Sequence, residues 1–150
     1  MTPNPAIEIP NLLYRYAMTF DDGDFAATAH LFDHGCIMAE GNKIVGAENI
    51  LAMWRDWVHL YNGKPRTRHI TTNPIIELAE DGQSATCQSQ WTVIQAAEGF
   101  PLQIVASGRY HDRLAVIDGK WQFTERAYLQ TDLIGDSSAH LVRVMQEGSL

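Results

Sequence analysis

Two side chains in this sequence are best placed to move protons, His69 and Asp21. His69 sits in the run Thr67-Arg68-His69-Ile70-Thr71, where strand periodicity puts it on one face with Thr67 and Thr71. A neutral imidazole has one donor and one acceptor. A carboxylate held against one nitrogen fixes the tautomer, stabilises the imidazolium, and makes the ring a general base and then a general acid near neutral pH. Without such a partner, a strand histidine is simply structural. The carboxylate has three candidates, Asp21, Asp22 and Asp24, clustered where the opening helix must stop. Residue 21 lies ~100° from Phe20 and ~140° from Tyr16 on a helix of ~3.6 residues per turn, so it points inward only if the helix ends there. Gly23 supplies that ending, while Asp22 and Asp24 suit turn and cap duties. Tyr16, in the apolar stripe of the same helix, is either a core ring or a hydroxyl that donates to a substrate carbonyl oxygen. Tyr14, Tyr61, Tyr110 and Tyr128 compete for that role. The remaining histidines, His30, His34, His59, His111 and His140, are expected at the surface.

Other chemistries find no support. The sequence has no GxSxG elbow, HExxH, P-loop or GxGxxG, and the two cysteines, Cys36 and Cys87, form no CxxC pair. They read as small buried hydrophobes, and neither a metal nor a cofactor is implied. The net charge of -7 and the lack of a basic patch denser than Lys64, Arg66 and Arg68 argue against nucleic acid and anionic membranes as partners. Without a signal peptide or an 18-residue apolar run, the expected address is the cytoplasm.

The elements that must position these residues are segregated, helices first and strands after, which indicates α+β. Ile9, Leu12, Leu13, Tyr16, Ala17 and Phe20 follow helical spacing and predict a helix over 6–21, with Pro10 confined to its first turn. A second helix is expected over 25–32. A short strand at 36–40 and its return at 43–45 precede a third helix over 47–61 carrying Ile50, Met53, Trp54, Trp57 and Tyr61. The rest alternates with period two: strands at 66–78, with Pro74 marking a bulge, then Ala85 to Val93, 102–117 and 121–134. Asp118-Gly119 is the clearest hairpin signal. Strands this long cannot stay flat, so the sheet curls into a cone, the three N-terminal helices cover its concave side, and a cavity remains between them. Its expected walls are Met38, Met53, Trp54, Trp57, Trp91 and Tyr110. Residues 1–150 are expected to form one domain with a core over 6–134 and a tail over 135–150, loose from Met145 onward. An apolar outward sheet face carrying Val93, Val105 and Trp121 would make the chain a homo-oligomer.

The segment Leu13-Tyr14-Arg15-Tyr16-Ala17, then Asp21, Gly23-Asp24-Phe25 and Leu31-Phe32, resembles the opening of the SnoaL-like group within the nuclear transport factor 2-like superfamily. Arg68-His69-Ile70 with Thr72-Asn73-Pro74 resembles its central strand. Gly108-Arg109-Tyr110-His111-Asp112 and Gly119-Lys120-Trp121-Gln122-Phe123 with Arg126 resemble its last hairpin. The resemblance covers about residues 6–134 and implies a cystatin-like α+β barrel. Scytalone dehydratase and the bile-acid dehydratases are the most similar members. They imply a His–Asp pair at His69 and Asp21, a tyrosine at Tyr16, a trimer, and loss of water from a hydrophobic cyclic ketone or hydroxy-ketone. Where scytalone dehydratase has a second pocket histidine on the next strand, this chain has Ser89 and Trp91. The fold also hosts ketosteroid-isomerase-like isomerases, cyclases, ligand-binding modules and dioxygenase β-like subunits, so those remain alternatives.

Overall fold

In the computed structural model, which describes residues 3–143 and 145, the order is α1 (Pro5–Asp21), α2 (Phe25–His30), β1 (Cys36–Ala39), β2 (Asn42–Val45), α3 (Gly46–Trp57), β3 (Thr67–Leu78), β4 (Ser84–Ala97), β5 (Phe100–Ile117) and β6 (Lys120–Ile134). The six strands form one curled, unclosed sheet in the order β2-β1-β6-β5-β4-β3. Every pairing is antiparallel except β1 with β6. The class is α+β, with the helices on the concave side.

The stripe expected on α1 is the stripe it buries: Ile9, Leu12, Leu13, Tyr16, Ala17 and Phe20. The helix starts earlier than expected. The Asn4 side chain accepts from the Ala6 N–H and Pro5 opens the first turn, so Pro10 lies inside the helix rather than at its start. The cost is one missing N–H donor, offset by the cap and by burial of Ile9, Leu12 and Leu13.

At the other end Gly23 takes φ +79°, its N–H bonds to Phe20 O and the Asp24 N–H bonds to Thr19 O. This is a Schellman closure, and it fixes the direction of Asp21. Asp24 then caps α2 through the Ala27 N–H.

Two further boundaries differ from expectation. Helix α2 stops at His30, although Phe32 remains fully buried. Helix α3 stops at Trp57 because Val58 turns extended and bridges Leu141, with Val142 N–H bonding to Trp57 O. Tyr61 therefore lies off the helix, in a turn closed on Lys64. The bulge expected at Pro74 is present as a register shift between Thr72 and Ile75. Asp118 and Gly119, with φ of 52° and 75°, make the two-residue turn between β5 and β6.

The apolar outward face was misassigned. Val93, Val105 and Trp121 are 3%, 0% and 4% exposed and belong to the core. Unbroken alternation along β4 puts Val93 on the inner face with Cys87, Ser89 and Trp91, and Trp121 shares the inner face of β6 with Phe123; the exposed apolar positions are instead Ile70, Ile104 and Leu133, among others. Residues 136–143 do not trail away. His59 N–H bonds to His140 O, Tyr61 Oη donates to Ala139 O, and Gln95 Nε2 donates to the same carbonyl. Met145 is buried, and the rest of the stretch expected to be loose, 146–150, lies outside the described residues. Cys36 and Cys87 are free and buried.

Candidate active site

The Schellman closure of α1 and the pleat of β3 bring Asp21 and His69 together. Asp21 Oδ1 lies 2.6 Å from His69 Nδ1, and Asp21 Oδ2 accepts from the His69 backbone N–H at 2.6 Å. Thr67, on the same face of β3 as His69, donates its hydroxyl to Asp21 Oδ1 at 2.7 Å. Both side chains are 9% exposed. Burial by itself would raise the Asp21 pKa. The hydrogen bond and charge of His69, its backbone N–H and the Thr67 hydroxyl outweigh that and hold the carboxyl below its usual range. Asp21 is thus ionised at neutral pH and can only accept, so Nδ1 is the donor in this bond and Nε2 is the nitrogen left for other partners. Phe20 packs edge-on to the ring, centroid to centroid 5.0 Å.

His69 faces a cavity of about 70 Å³. Helices α1 and α3 supply Tyr16, Phe20, Trp54 and Trp57; the sheet supplies His69, Trp91, Tyr110 and Tyr128; His140, Leu141 and Met145 close it from the C-terminal segment. Of the expected walls, Trp54, Trp57, Trp91 and Tyr110 are there, but Met38 and Met53 are not. Met53 is turned into the core, and Met38 lies on β1 away from the cavity. Gly108 makes room for Trp91: a Cβ there would stand 2.5 Å from the indole.

Tyr16 and Tyr128 share a 2.6 Å hydrogen bond between hydroxyls, and Trp54 Nε1 donates to Tyr128 at 3.2 Å. The Tyr110 hydroxyl is linked to Tyr16 as well, so the three phenols share two hydrogen bonds and three protons, which leaves one proton of the chain uncommitted. Burial, first of all, raises the Tyr16 and Tyr128 phenols well clear of neutral pH, so they act as neutral donors. Tyr14 is 43% exposed and the Tyr61 hydroxyl is committed to Ala139 O, which removes both from contention.

Beneath the tyrosines lies a fully buried ion pair. Arg126 Nε and Nη2 donate to the two oxygens of Asp112 at 2.8 and 2.9 Å, and both side chains are 0% exposed. The guanidinium lies 4.2 Å from the Tyr16 ring centroid and 3.8 Å from that of Tyr110.

His140 is a correction. Expected at the surface, it is 6% exposed, with its ring 5.9 Å from that of His69. The segment 136–143 has no apolar periodicity, so nothing in the sequence marked it as a wall. The cysteines are inert, the Cys87 thiol being pushed up to about 11 by burial first and by Asp112 second. Among the described residues no cluster of three or more His, Cys, Asp or Glu could hold a metal ion, and no helix is long and apolar enough to cross a membrane.

The architecture is thus a helix-covered, curled sheet around an aromatic cavity, with the imidazole of a histidine–carboxylate pair in its wall. The chain belongs to the SnoaL-like domain family, which matches residues 7–127. Among solved structures it is similar to Rv3472 of Mycobacterium tuberculosis, a protein of unknown function (28% identity, TM-score 0.70, over 86% of this chain and 72% of that one). It is also similar to a candidate scytalone dehydratase from Novosphingobium aromaticivorans (20%, TM-score 0.69, 93% and 90%). A nuclear transport factor 2-like protein with a cystatin-like fold from the same organism follows (18%, TM-score 0.66, 80% and 77%). The last two likenesses establish the fold alone. No curated protein matches the sequence.

Proposed function

We propose that this protein is a cofactor-independent dehydratase acting on a small hydrophobic cyclic hydroxy-ketone. The observation that carries the reading is the orientation of His69: Asp21 holds Nδ1, so the basic Nε2 is the nitrogen left for a guest in a cavity that also contains a spare phenol proton.

The ketone oxygen accepts the uncommitted hydroxyl proton of the tyrosine chain, which stabilises negative charge as it develops there. His69 Nε2 takes the proton from the carbon next to the carbonyl. The electrons form an enol-like system, and Asp21 stabilises the imidazolium. The same imidazolium then protonates the hydroxyl on the neighbouring carbon. That C–O bond breaks, water leaves, and the product is the conjugated ketone, with the imidazole neutral again. The aromatic walls exclude bulk water and strengthen each of these interactions. A candidate scytalone dehydratase shares this fold, so dehydration is a reaction proposed for another protein of the same architecture. Without a leaving group the same residues would return the proton at another carbon and isomerise the substrate.

The test is turnover of β-hydroxy cyclic ketones such as 3-hydroxycyclohexanone, followed by the absorbance of the enone formed. His69→Ala is expected to lower kcat by about 10²–10⁴-fold, the usual contribution of a general base. Asp22→Ala, an exposed cap-side neighbour of Asp21, is expected to leave it unchanged. Equal turnover by wild type and His69→Ala would sink the mechanism. A shifted double bond without water loss would replace dehydration with isomerisation.

A further inference from the structure

The C-terminal segment brings a second imidazole to the cavity, and the fold holds it firmly. His140 O accepts from the His59 N–H at 2.9 Å, and His140 N–H donates to Ser137 O at 3.0 Å. The preceding carbonyl, Ala139 O, takes both Tyr61 Oη at 2.6 Å and Gln95 Nε2 at 2.9 Å. Ser137 Oγ in turn accepts from the Met145 N–H at 3.0 Å. These bonds tie the segment to the end of α3, to the turn after it and to β4.

The side chain is treated differently from this backbone. His140 is 6% exposed and lines the cavity, yet its Nδ1 is buried with no hydrogen-bond partner among the described residues. Its nearest aromatic neighbours are His69, 5.9 Å away, and Phe20, 6.5 Å away, both by ring centroid. A buried polar group without a partner is costly, and native folds rarely keep one without a use. A leucine or phenylalanine would close the same wall at no such cost. A guest that turns the ring within the wall can supply the missing partner, as one can for the Trp91 Nε1, which lines the same cavity and is likewise buried without a partner among the described residues.

We propose that His140 is a ligand-contacting residue, its imidazole hydrogen-bonding a second oxygen on the ketone, so that the pocket selects hydroxylated cyclic ketones over plain ones. The inference rests on the ketone reading above. Burial, with the charges of His69 and His59 adding to it and that of Asp21 opposing, holds His140 far below the ordinary histidine pKa. The ring is then neutral and keeps both a donor and an acceptor for a hydroxyl, which itself both donates and accepts. His69 deals with the carbon skeleton, and His140 reads a substituent.

Calorimetric titration separates this inference from the reaction itself. The probes are 1-indanone and its 4-, 5- and 6-hydroxy isomers, whose phenolic hydroxyls cannot be eliminated. Wild type is expected to bind at least one hydroxylated isomer roughly tenfold tighter than 1-indanone, the worth of one well-made hydrogen bond. His140→Phe is expected to erase that preference, read as the ratio of the two affinities within each protein. His140→Gln, which keeps a polar tip, is expected to retain part of it and serves if the phenylalanine variant does not fold. A preference unchanged in the folded variants, or no preference in a wild type that binds all the compounds, overturns the role of His140 and leaves the ketone reading standing. A wild type that binds none of them overturns the ketone reading and this inference with it.

Discussion

Asp21, held behind His69, and His140, in the cavity wall, are both largely buried, and burial acts on them with opposite success. For the carboxylate, the imidazole, the Thr67 hydroxyl and a backbone N–H outweigh desolvation and keep the charged form. For His140 nothing outweighs it, and the pKa falls to about 3. Each consequence for stability has a definite sign. An unfolded aspartate titrates near ~3.9 and an unfolded histidine near ~6.5. Asp21, lower when folded, contributes stability that is present above about pH 4 and lost as pH falls through its folded pKa. His140 is neutral when folded, while the unfolded chain binds its proton below about pH 6.5. The unfolded state then holds one more proton, and stability rises with pH across that window, by at most about 1.4 kcal/mol per pH unit. Between pH 6.5 and 4.5 only the His140 contribution acts of these two. Urea unfolding over that range should therefore show a steeper loss of stability on acidification in wild type than in His140→Phe. Parallel curves for the two proteins would mean that His140 accepts a proton without unfolding. The contact between Asp21 and His69 is legible in the sequence because Gly23 marks where α1 must stop, and a helix that stops there can turn Asp21 inward. The place of His140 is not, since a histidine in a segment with no pattern carries no sign of burial.

At the scale of elements, the site depends on how α1 ends. Gly23 is needed there twice over: for its φ of +79°, and because a Cβ would stand 2.1 Å from the carbonyl oxygen of Gly63 in the turn beyond α3. Alanine at Gly23 is expected to destabilise the protein by about 1–3 kcal/mol, the scale of local backbone strain, and to displace Asp21, two residues earlier. Gly99→Ala is the control, since Gly99 has φ +71° but no atom lies within 4 Å of where its Cβ would stand. Chemical denaturation should rank Gly23→Ala clearly below Gly99→Ala, and turnover by the still-folded fraction should fall only in the former. Equal losses would mean that strain alone matters and the contact with Gly63 relaxes freely. The ending of α1 was legible because its punctuation is local: a glycine at the αL position and an aspartate cap on the next helix. The ending of α3 was not. Its stripe continues in sequence to Tyr61, but Val58 is drawn out of the helix by Leu141, a residue more than eighty positions away.

Across the whole molecule the same contrast governs the buried ion pair. Counting back from the Asp118-Gly119 turn, with Ile117 opposite Lys120, places Asp112 opposite Glu125. A bulge between Arg113 and Leu114 slips the register by one, so Arg126 faces Asp112 and Tyr128 faces Tyr110. One residue of slip converts a clash of like charges into a salt bridge and brings the second tyrosine to the pocket. The resulting guanidinium links β5, β6 and α1 through Asp112, Tyr110 and Tyr16. Removing either member strands a charge in the core at a cost of about 3–5 kcal/mol, a large share of a domain's usual 5–15 kcal/mol. Arg126→Met alone is accordingly expected to be marginally folded at best. Asp112→Leu with Arg126→Met should recover most of that loss, because apolar replacement of both partners is often neutral. The double variant then isolates a second role. The cation over the Tyr16 ring favours negative charge on the phenol oxygen, opposing the effect of burial. Without it the tyrosine chain should donate less effectively to a developing enolate, so kcat should fall several-fold while the melting temperature stays near that of wild type. A double variant that is stable and fully active would make the ion pair an anchor of the sheet alone.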